Sequence, residues 1–230
     1  MALAHSPKII TDGLVLCLDA GNTKSYPGSG TTWTDLSGIG NNGTLVNGVG
    51  YSGGNLGSLS FDGVDDHISF SSNPSLTNQI TVEVWVKLEN PQGASTLGWI
   101  LGREGSYRML YSSDELFWVC GTTNNGWYTA GTDISASITS IFTQIYQFVA
   151  TYDGSNNRIY VNGTLQTTGS SISGNITTFE NYHLIRSGSF DTTIVYGKGI
   201  IYSHRLYNRA LTASEIKQNY NALKSRFITN

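Results

Sequence analysis

Nine residues, Ile80 to Leu88, constrain this chain more than any other run. In ITVEVWVKL, Ile80, Val82, Val84, Val86 and Leu88 occupy every second position, with Thr81, Glu83, Trp85 and Lys87 between them. A helix would scatter the apolar set around its circumference, whereas a strand places it on one face. A strand with one apolar face is stable only inside a sheet that packs that face against another layer.

Shorter runs of the same kind recur along the chain. Leu14 to Leu18 is continuously apolar, as expected of a strand buried on both faces. Ser58–Phe61 and His67–Phe70 alternate polar and apolar around the turn Asp62–Asp66, which predicts a pair of strands joined by a loop. Trp99–Leu101, Tyr107–Tyr111, Glu115–Cys120, Gln144–Tyr152, Arg158–Val161 and His183–Arg186 read as further strands. Asn42-Gly43 and Asn162-Gly163 are turn signals, because both residue types tolerate positive φ. The chain has 27 glycines and 13% charged residues, a profile of many strands and many turns. The expected architecture is all-β: about a dozen short strands in two antiparallel sheets packed face to face.

One strand pattern hands over to a helix. Ile200–Tyr207 reads as the closing strand, and Thr212-Ala213-Ser214-Glu215 has the form of a capping box. Leu211 and Ile216 have the spacing of a hydrophobic staple, and Ile216, Tyr220 and Leu223 form one apolar stripe. These signals predict a short C-terminal helix over about residues 212–225. Residues 1–12 read as an N-terminal arm and 13–230 as a single domain.

The run Arg205-x-Tyr207-Asn208-Arg209-Ala210-Leu211-Thr212-x-x-Glu215-Ile216 resembles the end of laminin-G-like, concanavalin A-like lectin/glucanase jelly rolls. GLVLCLDAGNTKSY, TWTDLSGIGNNGTLVNG, LSFDGVDDHISF, ITVEVWVKL and FVATYDGSNNRIYVNGTL follow in the order and spacing of such domains. The resemblance implies a jelly-roll sandwich and leaves the activity open. The tail QNYNALKSRF is similar to such domains in bacteriophage, cyanophage-like, structural proteins.

Catalytic patterns are weak here. Gly48–Gly53 fits G-x-G-x-x-G and Gly50–Gly54 fits G-x-S-x-G, but neither precedes a helix start, which both chemistries require. The glucanases that the family includes carry an E-x-D-x-x-E type of acidic triplet on one strand face. No such triplet is found here, since Glu83 shares its face with Trp85 and Lys87. The expectation is a non-enzymatic protein. The four histidines lack short metal-ligand spacing.

Two binding chemistries remain. Calcium takes clustered carboxylate, amide and carbonyl oxygens from loops; Asp19, Asn22, Asp35 and Asn42 near the start and Asp62, Asp65 and Asp66 in the later turn supply them, with Asp19, Asp35, Asp62 and Asp65 the candidate ligands. Many laminin-G-like domains hold calcium at a sandwich rim. Sugar recognition needs an aromatic platform beside polar groups. Trp127 and Tyr128, preceded by Asn124 and Asn125, are the most lectin-like stretch. Trp99 and Trp118 lie nearby in sequence, either with them or in the core.

Net charge is −3, so no broad nucleic-acid affinity is implied. Six of the 13 Lys and Arg follow residue 197; Lys217, Lys224 and Arg226 are candidate partner contacts on the helix, against the alternative of a solvated face. Cys17 and Cys120 read as buried free thiols. No signal peptide pattern and no run of roughly 18 apolar residues is present, so no membrane span is expected. Together these features point to a phage virion structural protein such as a capsid decoration, neck or tail-fibre component. Its partners would be other virion proteins, further copies of itself and glycans, and its place the virion. The alternative is a free carbohydrate-binding module or adhesin for cell-surface glycans.

Overall fold

The computed structural model describes residues 7–54, 56–91, 97–126, 132–178, 181–187 and 194–228. In chain order the strands are β1 (Leu14–Asp19), β2 (Thr32–Trp33), β3 (Gly43–Val46), β4 (Gly50–Ser52), β5 (Ser58–Asp62), β6 (His67–Phe70), β7 (Ile80–Leu88) and β8 (Gly98–Arg103). They continue as β9 (Tyr107–Tyr111), β10 (Glu115–Cys120), β11 (Asp133–Ser137), β12 (Tyr146–Tyr152), β13 (Asn157–Val161), β14 (Thr164–Thr168), β15 (Tyr182–Leu184) and β16 (Lys198–Tyr207), before helix α1 (Ala213–Phe227). One antiparallel sheet has the order β14-β13-β12-β7-β16-β5-β4, with β1 also on β16; the other has the order β11-β10-β9-β8-β15-β6-β3-β2. The all-β sandwich with one C-terminal helix is the architecture that the period of two and the capping box predicted.

The alternation in β7 has the expected consequence. Ile80, Val82, Val84, Val86 and Leu88 are fully buried in the core between the sheets, with Phe148 and Ala150 of β12 and Met109, Leu116 and Trp118 of the second sheet. The opposite face of β7 is buried too, because α1 lies on it. Trp85 stacks on Tyr220 at 5.8 Å and packs on Phe227 at 4.6 Å. Glu83, 1% exposed, pairs with Arg205 at 3.3 Å and accepts from Gln147 at 3.0 Å and from Asn219 of the helix at 2.8 Å. Asn219 also accepts from the Ile10 amide at 2.8 Å, which ties the segment before β1 to the same network.

The capping box forms as the sequence predicted. The Thr212 hydroxyl accepts from the Glu215 amide at 3.3 Å, and the Glu215 carboxylate accepts from the Thr212 amide at 2.8 Å. Arg209 holds the same carboxylate and keeps its pKa down at about 2. Leu211 and Ile216 meet in one buried cluster, as a staple should. Asn162 and Gly163, with φ of 51° and 72°, make the tight turn between β13 and β14. Both cysteines are buried and free.

Three expectations need correction. Ser58–Phe61 and His67–Phe70 are not paired with each other: β5 pairs with β16 and β4, whereas β6 pairs with β15 and β3. The Asp62–Asp66 turn crosses between the sheets, since β5 lies in one and β6 in the other. Asn42-Gly43 makes no positive-φ turn; Gly38 and Gly40 take those conformations, and Gly43 opens β3 against Ile68. The strand read over His183–Arg186 stops at Leu184, since Ile185 has φ of 65° and breaks the ladder.

Two measurements probe this core. Glu83→Ala leaves Arg205 buried without its counter-charge and is expected to cost about 3–5 kcal/mol in urea unfolding. His204 is wholly buried: its Nδ1 donates to the Glu83 carbonyl at 2.9 Å, its Nε2 accepts from the Tyr182 hydroxyl at 2.7 Å, and burial pushes its pKa down to about 3. Between an unfolded value of about 6.5 and that folded value, only the unfolded chain takes the proton, so stability falls as pH falls through this window. His204→Gln is expected to flatten the slope of unfolding free energy against pH there by up to about 1.4 kcal/mol per pH unit.

Candidate functional site

Three surface features concentrate the polar chemistry. The first is the crossing turn after β5. Asp66 is 5% exposed; its Oδ1 accepts from the Gly48 amide at 2.6 Å and its Oδ2 from the Asp62 amide at 3.2 Å. Asp62 accepts from the Val64 amide at 2.8 Å, a turn-closing bond. The crossing geometry gathers carboxylate oxygens of Asp62, Asp65 and Asp66 within 4.8 Å of one another. With Gly48, Gly50 and Ser60 they line a recess of about 330 Å³. Hard oxygen donors on two exposed residues and one buried residue fit the chemistry of a divalent cation.

The other two calcium candidates are placed elsewhere and used differently. Asp19 forms a two-pronged ion pair with Arg226 at 2.7 and 2.8 Å. Asp35 is buried and accepts from the Cys17, Ser37, Gly40 and Asn41 amides and from the Ser37 hydroxyl, at 2.7 to 3.1 Å. Its carboxylate shapes the 35–41 loop. The sequence ranked these loop aspartates alike, because loop position alone does not reveal hydrogen-bond partners.

The second feature is a rim made by two loops, 121–126 and 172–177. The Asn125 side chain accepts from the Ser173 amide at 2.8 Å, and the Thr122 hydroxyl donates to the Ser173 carbonyl at 2.6 Å. The Asn124 amide donates to the Ser173 hydroxyl at 3.1 Å. The Thr123 amide donates to the Asn175 carbonyl at 2.8 Å, and the Asn175 amide to the Thr123 hydroxyl at 3.2 Å. Asn124 is exposed and Asn125 half-buried on this laced rim. Trp127 and Tyr128 lie outside the described residues. Trp99 and Trp118 are core side chains, 1% and 0% exposed, so they form no surface platform.

The third feature is the helix surface. The basic end is largely neutralised within the fold: Arg205 pairs with Glu83, Arg209 with Glu215, Arg226 with Asp19 and Lys198 with Glu89. Arg226 is thereby an internal tie, and the partner-contact expectation narrows to Lys217 and Lys224, which flank the Tyr220 ring at 4.8 and 5.8 Å. Among the described residues no helix is long and apolar enough to cross a membrane.

A family model described as "Concanavalin A-like lectin/glucanases superfamily" matches residues 62–217, more than half of the chain. The chain belongs to this superfamily. No curated protein matches the sequence. Among solved structures, the receptor-binding domain of botulinum neurotoxin type G is similar, with TM-score 0.67, 14% identity, and coverage of 91% of this chain and 51% of that one. The binding domain of Paraclostridial Mosquitocidal Protein 1 gives TM-score 0.69 and 16% identity, covering 92% of this chain and 52% of that one. The binding domain of botulinum neurotoxin DC, solved in complex with SialylT, gives 0.71 and 14%, covering 93% and 52%. At these identities the likeness is one of fold, and this concanavalin A-like chain spans about half the length of each.

Sequence reasoning missed a fourth group. His67, His183, Arg186 and Tyr196 converge on the outer side of the second sheet. His67 and His183 are more than a hundred residues apart, and no spacing rule joins them. Only the pairing of β15 with β6 brings them together.

The rim depends on Gly174, whose φ is 106° and whose added Cβ would lie 2.7 Å from the Thr123 hydroxyl. Gly174→Ala is expected to cost about 1–3 kcal/mol in unfolding free energy and to speed amide exchange at Thr123 and Asn175 first.

Proposed function

We propose that this chain is a non-enzymatic carbohydrate-recognition module of the concanavalin A-like superfamily. The observation that carries the reading is the laced rim. Hydrogen bonds linking Thr122, Thr123, Asn124 and Asn125 with Ser173 and Asn175 hold Asn124 and Asn125 in place before any ligand arrives. Amides fixed in advance lose little entropy on binding, so their hydrogen bonds to sugar hydroxyls contribute to affinity. Trp127 and Tyr128 follow after Gly126 in sequence and would supply the rings such a site requires. Use of Glu83 and Glu104 in buried ion pairs supports a binding role over a hydrolytic one. The similar toxin structures named above are binding domains, which agrees with this reading without assigning a ligand.

A calcium ion would be held by Asp62 and Asp65, with Asp66 fixing the turn, and would order the crossing loop as a charged support. The phage reading rests on the likeness of QNYNALKSRF together with the free cysteines and the lack of a signal peptide pattern and of a catalytic set, and the similar structures named above lend it no support. Of the two readings, free glycan recognition is therefore preferred.

The test is a glycan array run in calcium and again in chelator, followed by calorimetry on the best-bound glycan. Trp127→Ala and Asn124→Ala are each expected to weaken binding at least tenfold, about 1.4 kcal/mol. Loss of the array signal in chelator would assign calcium a part. Absence of any glycan bound by the parent chain, or unchanged affinity in both variants, would overturn the reading.

A further inference from the structure

The group that sequence reasoning missed carries an inference independent of the rim. Ile185 is a buried β-branched residue with φ of 65°, a conformation that such residues adopt only when their surroundings enforce it. Its amide donates to the Ile100 carbonyl at 2.9 Å, and its carbonyl accepts from the Gly197 amide at 2.9 Å. These bonds hold a kink directly after β15. Arg186 therefore leaves the ladder, bridges to Tyr196, and returns its Nη1 to within 3.3 Å of His183 Nε2.

His67 arrives from the neighbouring strand. His183 lies opposite Ser69, so His67, two residues before Ser69, is its diagonal neighbour on the same face. The His67 ring is 6.0 Å from that of His183 and 6.1 Å from that of Tyr196. Its Nδ1 faces the Asp65 carbonyl at 2.9 Å and so carries the hydrogen.

Charge separates the two sides of this turn. The Asp66 oxygens are taken by the Gly48 and Asp62 amides, and the Asp65 carboxylate belongs to the recess that Asp62 and Asp66 share. Arg108, Arg158, Arg205, Arg209 and Arg226 each meet a carboxylate. Arg186 makes no ion pair among the described residues. Its fork of five donors is half-buried, beside two imidazoles and a phenol. A planar guanidinium next to further donors matches an oxyanion.

We propose that His67, His183, Arg186 and Tyr196 form a binding site for an oxyanion, either a carboxylate borne by a sugar or an inorganic sulfate-like anion. Arg186 provides the charge and two parallel donors, His67 and Tyr196 complete the shell, and His183 positions the guanidinium.

The experiment follows the ring Cε1–H resonances of His67 and His183 in the histidine-labelled protein at constant ionic strength. Sodium glucuronate and sodium sulfate are titrated separately, with glucose as the uncharged control. Saturable shifts of both rings with an anion and none with glucose are expected. Saturation by glucuronate assigns a sugar-borne carboxylate, and saturation by sulfate alone assigns an inorganic anion. Arg186→Gln is expected to weaken the response at least tenfold, and Arg186→Lys, which keeps the charge without the fork, to retain part of it. If Arg186→Gln does not fold, His67→Ala read at His183 serves in its place, with the same tenfold loss expected. Asn124→Ala is expected to leave these titrations unchanged, which separates this site from the rim. Shifts that stay linear to high anion concentration, or an unchanged midpoint in folded Arg186→Gln or His67→Ala, would overturn the proposal.

Discussion

The buried ion pair of Glu83 with Arg205 is the interaction on which the rest of the structure depends. Two charges taken out of water cost several kcal/mol each, and their mutual attraction offsets this only when every remaining donor and acceptor finds a partner. Here Gln147 and Asn219 supply partners to the Glu83 carboxylate from β12 and α1, while the Arg205 Nε is buried without one. Asn219 then reaches the Ile10 amide and the Tyr207 hydroxyl. A single carboxylate thus joins β7, β12, β16, the helix and the segment before β1. The apolar contacts around it, Trp85 on Tyr220 and Phe227, exclude water from the network and strengthen each of its hydrogen bonds.

With the helix sealing that sheet, the polar chemistry falls to loops and to the second sheet. The division has a physical basis. Loop carboxylates and amides close to backbone N–H groups are consumed in holding turns, as Asp35 and Asp66 are. Groups left over at fixed positions, such as Asn124 on the rim and Arg186 beside His183, are the ones able to meet a ligand. Membership of the concanavalin A-like superfamily is compatible with many ligands, so the assignment rests on these side chains.

Residues with local causes were legible in the sequence. The β7 alternation, the Asn162-Gly163 turn, the Thr212–Glu215 capping box and the Leu211–Ile216 staple each act over two to five residues, and each formed. The Trp127 platform was read from sequence alone and lies outside the described residues. The aspartates were legible only as a class. Whether a loop carboxylate faces a cation, an arginine or an amide is decided by what another part of the chain brings to it. Arg226 reached Asp19 across the whole length of the domain.

The sequence by itself determined the strand period, the helix and its cap, and the all-β class, because steric and hydrophobic preferences act between near neighbours. Tertiary structure alone decided that the Asp62–Asp66 turn crosses between sheets and that Glu83 meets Arg205. It also decided that His67 meets His183 and Arg186. Each of these depends on which strands become neighbours, and strand order is a property of the packed sandwich as a whole, which joins β16 to β5 and β15 to β6 however far apart they lie in sequence.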